Sequence, residues 1–70
     1  MKEYKVLLSP KNSLDMMGTL FDKGDIIQGI MVIKDGVKYI ELMLDGSWHM
    51  FNIDIVRRVF YIERGSIEHE

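Results

Sequence analysis

Apolar and β-branched residues occur in short runs along the chain, and turn residues separate these runs. Three of these runs cover residues 25–34, 37–44 and 47–52, and Asp-Gly pairs stand between them at 35–36 and 45–46. A two-residue type I′ turn needs positive φ at both central positions, which Asp and Gly tolerate best. The pattern therefore predicts a three-stranded antiparallel meander in the middle of the chain.

The flanking segments predict two further strands. Residues 3–8 read as a first strand that Pro10 ends, and residues 58–63 as a last strand. Residues 53–56 predict a short connector of one 3₁₀ turn before the last strand. Gly29, inside the run 25–34, predicts a bulge or a sharp bend.

Residues 11–25 leave two alternatives open. Asn12 or Ser13 is a suitable N-cap for a short helix over residues 13–23, with Gly24 at C′. Against the helix, Gly18 in its interior costs about 1 kcal/mol. The rival interpretation is a long, partly packed loop.

The predicted fold is mainly β, a five-stranded barrel in residues 1–64 with a long connection between its first two strands and a polar tail at 65–70. This order of elements resembles the SH3-like small barrels in architecture, and that superfold carries many unrelated functions. The alternative is an α+β domain with the short helix 13–23 packed on a four- or five-stranded antiparallel sheet.

Tight turns at both Asp-Gly pairs fix which residues share a face of the meander. The predicted cross-strand pairs are Ile33–Lys38, Met31–Ile40, Ile27–Leu44, Leu42–His49 and Ile40–Phe51. One face is then mostly apolar and is predicted to be the core; it carries Ile27, Met31, Ile33, Ile40, Leu42, Leu44, Phe51 and Ile53. A slip of one residue at either turn would exchange the faces and place Trp48 and Met50 in the core.

The opposite face mixes aromatic and methionine side chains with isolated polar groups, which is the composition of an interface core. The predicted partner-binding residues on this face are Ile30, Val32, Tyr39, Met43, Trp48 and Met50. Trp48 is the sole tryptophan. Its alternative interpretation is as a packing residue of a barrel core or rim, and the methionines can equally be core fillers.

Composition narrows the possible functions. The net charge of −2 argues against a nucleic-acid binder, although Arg57, Arg58 and Arg64 form a candidate basic stripe. Cysteine is absent, which excludes disulfides and thiolate metal sites and fits a cytoplasmic protein. No run approaches the about 20 apolar residues of a membrane span. Alanine is also absent, a bias that suggests an AT-rich genome and a phage or mobile-element origin.

No constellation of catalytic or metal-binding residues is visible. His49 and His69 lack partners at ligand spacing, and the serines lack a nucleophile motif. We therefore expect no enzyme activity, no metal and no cofactor.

The sequence predicts a non-enzymatic protein-interaction domain that self-associates and binds or inhibits a partner protein. Its apolar content of 47% is high for 70 residues, and oligomerisation or partner binding would cover the excess. The alternatives are a nucleic-acid-associated regulator and a small-ligand sequestering oligomer with pockets between subunits.

Overall fold

The fold is a mainly β arrangement, described by a computed structural model over residues 2–63. Its elements, in chain order, are β1 (Lys2–Pro10), β2 (Leu14–Met16), β3 (Thr19–Phe21), β4 (Ile27–Lys34), β5 (Val37–Leu44), β6 (Ser47–Asn52), α1 (Ile53–Val59) and β7 (Phe60–Glu63). Five strands form one antiparallel sheet in the order β6-β5-β4-β1-β7, and β2 pairs with β3 in a separate hairpin. The predicted mainly β class is confirmed, and residues 65–70 lie outside the described part of the chain.

Both Asp-Gly pairs form the predicted tight turns. Asp35 and Gly36 have φ of 54° and 78°, and Asp45 and Gly46 have φ of 50° and 84°. The slip of one residue therefore does not occur, and four of the five predicted pairs are present: Ile33–Lys38, Met31–Ile40, Leu42–His49 and Ile40–Phe51. The β4–β5 ladder begins at Ile30–Glu41, so the predicted Ile27–Leu44 pair is not part of it, and Ile27 pairs with Leu8 of β1 instead.

Residues 14–21 form a β-hairpin, so the predicted helix over 13–23 and the loop alternative are both wrong. The turn lies at Met17 and Gly18, whose φ values of 52° and 88° are incompatible with a right-handed helix. The Asp15 carboxylate accepts a hydrogen bond from the Gly18 N–H at 2.9 Å, which stabilises the turn. Thr19 Oγ1 accepts from the Asp45 N–H at 2.8 Å and ties this hairpin to the β5–β6 turn.

Helix α1 is longer than the predicted 3₁₀ turn, and β7 correspondingly starts two residues later than predicted. Asn52 caps the helix by accepting the Asp54 N–H at 2.8 Å, and basic residues occupy the last turn. Ile53 and Val56 are buried one helical turn apart. The apolar stripe continues to Val59, and the basic residues of the last turn interact favourably with the helix dipole. The helix therefore includes residues 58 and 59, which the sequence predicted as strand.

The core lies on the inner face of the sheet and is closed by α1. Its fully buried members include Val6, Leu8, Ile40, Leu42 and Leu44, and Phe60 packs edge-to-face on Phe21 with ring centroids 5.6 Å apart. The predicted core face is confirmed, with Ile27, Ile33 and Phe51 partly buried at its margins.

Gly29 lies opposite Val6 of β1, one residue before the β4–β5 ladder begins at Ile30. A Cβ atom here would lie 2.8 Å from Leu8 Cδ1 and 3.2 Å from the backbone oxygen of Glu41. The β1–β4 register runs through Gly29 without an inserted residue, so the predicted bulge is absent from that ladder. Close approach of neighbouring chain segments is therefore the reason for glycine at this position.

Candidate functional site

Three adjacent apolar side chains stand on the outer face of the sheet, the face turned away from the core. Met43 of β5 lies directly opposite Trp48 of β6, and Met50 follows two residues along β6 on the same face. We call Met43, Trp48 and Met50 the outer-face patch. The two Asp-Gly turns determine the register of the strands, and this register places all three side chains on the same face of the sheet.

Each member of the outer-face patch is close to half exposed: Trp48 by 49%, Met43 by 45% and Met50 by 44%. Most of the chain's other large apolar side chains are packed in the core on the opposite side. Tryptophan and methionine are typical of interface cores, where they supply contact area and adaptable packing. A contiguous exposed group of these types is therefore a candidate binding surface.

The outer-face patch continues towards the middle of the sheet through partly buried side chains. Glu41 lies opposite Met50 on one side and Ile30 on the other. Ile30, Tyr39 and Glu41 are all partly buried. The Glu41 carboxylate therefore offers a polar contact at a defined position among apolar groups. A partner must match that contact, which favours selective binding over general adhesion.

Val32 does not belong to this surface, although the sequence predicts it there. It lies on the outer face as predicted, but it is only 1% exposed. Its strand occupies the centre of the sheet, where Glu3 of β1 and Tyr39 of β5 flank Val32 directly. Neighbouring side chains on the same face therefore cover it, and Val32 is not accessible on this surface.

Strand β6 borders the outer-face patch and forms one edge of the sheet. Among the described strands it pairs with β5 alone. Its sequence, SWHMFN, contains no Lys, Arg, Asp, Glu or Pro. Edge strands usually carry such residues to prevent unwanted pairing, and β7 at the other edge ends in Glu63.

Two of the three arginines predicted for nucleic-acid binding lie within the described residues. Arg57 and Arg58 are exposed in the last turn of α1, and Arg64 lies outside the described range. Arg57 borders a groove on the inner side of the molecule, together with Lys11 and Lys38, whereas Arg58 does not. Nothing in the sequence indicates that Lys11 joins Arg57 and Lys38, because the hydrogen bonds that place Lys11 depend on the fold.

Two groups of exposed apolar residues were missed at the sequence level. Met17 and Leu20 on the β2–β3 hairpin and Ile26 before β4 are each more than half exposed. Little in the sequence indicates the hairpin, because alternation is confined to residues 14–16 and a methionine at positive φ is uncommon.

Across residues 2–63 no three His, Asp or Glu side chains come together in a way that could hold a metal ion. His49 lies at the sheet edge opposite Leu42, and His69 is beyond the described residues. Within the same range, no helix has the length and apolar character needed to cross a membrane. Comparison with protein-family models, curated proteins and solved structures gives no match to this chain.

Proposed function

We propose that this chain is a small, non-enzymatic protein-interaction domain that self-associates and binds a partner protein through the outer-face patch. The observation that carries the proposal is the contiguity of Met43, Trp48 and Met50, which are all exposed, beside an edge strand without protecting charges. The patch supplies apolar contact area, and the free edge of β6 supplies backbone hydrogen-bonding groups.

The self-associated form that best fits these features is a two-fold symmetric dimer with β6 paired to its copy in antiparallel fashion. Such pairing satisfies the unpaired backbone groups of both edges and is self-complementary, as a two-fold interface requires. It also places the two outer-face patches side by side on one continuous sheet surface. That enlarged surface is the proposed binding site for the partner.

For the architecture, we propose an SH3-like barrel. The strand order β6-β5-β4-β1-β7 and the helix immediately before β7 support it. An experimental structure in which the sheet curls so that its two edge strands, β6 and β7, approach each other without pairing would support the barrel, and a flat sheet would contradict it.

Self-association is tested by sedimentation equilibrium of the full chain across a range of concentrations. We expect a mass of twice 8.2 kDa for the wild type and 8.2 kDa for Met50→Lys, which places a charge on the patch and beside the free edge. Ile26→Lys is the matched control, because it charges an exposed isoleucine away from the patch. A wild type that stays at 8.2 kDa throughout, or a loss of the dimer in both variants, contradicts the dimer.

Partner binding is tested by affinity capture from the native host followed by mass spectrometry. We expect a protein that is retained by the wild type and by Ile26→Lys but lost from Trp48→Ala. Because Trp48 is the sole tryptophan, its emission should shift to shorter wavelength when that protein is added. A partner that binds Trp48→Ala with unchanged affinity would contradict the proposed surface.

A further inference from the structure

A groove with a volume of about 590 Å³ lies on the inner side of the molecule, away from the outer-face patch. Tyr4, Met31 and Phe60 are among the side chains that form its apolar walls, and α1 borders it through Ile53 and Arg57. Ligand pockets commonly have volumes of about 300–1,000 Å³ and combine apolar walls with a few polar groups. The groove has the size and the lining of a small-molecule site.

The groove is cationic although the whole chain is anionic. Lys11, Lys38 and Arg57 line it, and Glu63 is the one carboxylate among its lining residues. The local excess is therefore two positive charges, against a net charge of −2 for the chain. Field lines concentrate in a cleft with low-dielectric walls, so this arrangement attracts an anion.

Two contacts with the protein hold Lys11 in position. Its Nζ donates to the Arg57 carbonyl oxygen at 2.7 Å and lies 5.3 Å from the centroid of the Tyr61 ring. An ammonium group has three donors, and the contact with the Arg57 carbonyl uses one of them. The entropy of ordering this long side chain is thus already lost before a ligand arrives, which favours binding.

Aromatic rings line the groove together with the cations. Tyr4 lies on the inner face of the sheet, opposite Met31, and its ring borders the groove. Stacking of a nucleobase on an aromatic side chain is worth about 1–3 kcal/mol, and Lys and Arg bind phosphate by charge-assisted hydrogen bonds. A ligand that combines a flat aromatic ring with a phosphate group matches both the aromatic and the cationic residues that line the groove.

We propose that the groove binds a nucleoside phosphate, with the base against Tyr4 and the phosphate between Lys11, Lys38 and Arg57. The same chemistry occurs in a free nucleotide and in a short single strand of nucleic acid. The proposal does not depend on the outer-face patch, because the two sites lie on opposite sides of the sheet.

The test uses the ¹⁵N-labelled full chain, titrated with ADP, adenosine, inorganic phosphate or an eight-residue oligouridylate. We expect ADP to shift the amide signals of Tyr4, Lys11, Lys38 and Tyr61 and to leave those of Met43 and Trp48 in place. Adenosine and phosphate should each bind more weakly than ADP. Similar affinity for ADP and the oligonucleotide identifies a free nucleotide as the ligand, whereas much tighter, salt-sensitive oligonucleotide binding identifies a single strand.

Arg57→Gln and Arg58→Gln form a matched pair for this test, since both arginines are exposed in the last turn of α1 but only Arg57 lines the groove. We expect Arg57→Gln to weaken ADP binding about tenfold, the loss of one charge-assisted contact, and Arg58→Gln to leave it unchanged. A spectrum with native dispersion shows that each variant is folded.

Three results would overturn the proposal: no shifts with ADP or the oligonucleotide at millimolar concentration, equal effects of the two arginine variants, or a glutamate-rich peptide that binds the groove as tightly as ADP. Trp48→Ala should bind ADP normally. Failure of the nucleotide site is therefore separable from failure of the proposed protein-interaction surface.

Discussion

Apolar residues of similar size lie on both faces of β5, but they are buried on one face and exposed on the other. Ile40, Leu42 and Leu44 on the inner face are completely buried, whereas Met43 on the outer face is nearly half exposed. The difference arises because α1 and the β2–β3 hairpin contribute Val56 and Phe21, among others, to the core on the inner face. On β5, burial is therefore decided by what packs across the sheet, and apolar side chains serve as core on one side and as candidate interface on the other.

The largest effect on stability should come from truncating the inner face. We expect Leu42→Ala to lower the free energy of unfolding by about 2–5 kcal/mol, because it removes a completely buried side chain and leaves a cavity. Met43→Ala, its neighbour on the outer face, should cost well under half as much. Urea denaturation of the two variants measures the contrast, and equal losses would show that the outer face is not solvent-exposed in solution.

The next effect concerns the tight contact between β4 and its neighbours. Gly29→Ala places a methyl group against Leu8 and the Glu41 backbone, and we expect a loss of about 1–3 kcal/mol in the same measurement. Gly36→Ala is the comparison, since its Cβ meets open space and only its φ of 78° is unfavourable, at about 1 kcal/mol. If Gly36→Ala proves the more damaging, the close packing around Gly29 is not as described.

Val32 tests whether the position of a residue on the outer face affects its contribution to the free energy of unfolding. We expect Val32→Ala to reduce the free energy of unfolding by about 1–2 kcal/mol, because the lost methyl groups are buried by neighbouring strands. An exposed valine would lose much less. Val37→Ala, at an exposed valine beside the first turn, provides that reference in parallel thermal melts.

The smallest effect should be that of Trp48→Ala. We expect it to change the free energy of unfolding by less than about 0.5 kcal/mol, as is usual for exposed positions, while it removes partner binding. Chemical denaturation followed by circular dichroism avoids the need for the missing fluorophore. A loss of several kcal/mol would assign Trp48 to the packing of the monomer and contradict its role as an interface residue.

The sequence predicted those parts of the fold that local chemistry controls. Asp35-Gly36 and Asp45-Gly46 determined two turns, hence the register, and hence the positions of Trp48 and Met50. The hairpin at 14–21 was missed because its turn places Met17 at positive φ, which is uncommon for a methionine and leaves little trace in the sequence. The burial of Val32 and the placement of Lys11 depend on neighbouring strands and on a contact 46 residues distant, which alternation along one strand does not encode.

The pairing of β1 with β7 has a consequence for how the chain folds. Leu7 lies opposite Glu63, so β1 completes its pairing only with a strand that follows it much later in the chain. The β4–β5–β6 meander, by contrast, consists of neighbouring segments and can assemble early. Because pairing between distant segments slows folding, we expect the meander to form first and β7 to dock late. The sheet thus acquires its second edge only after β7 has been synthesised.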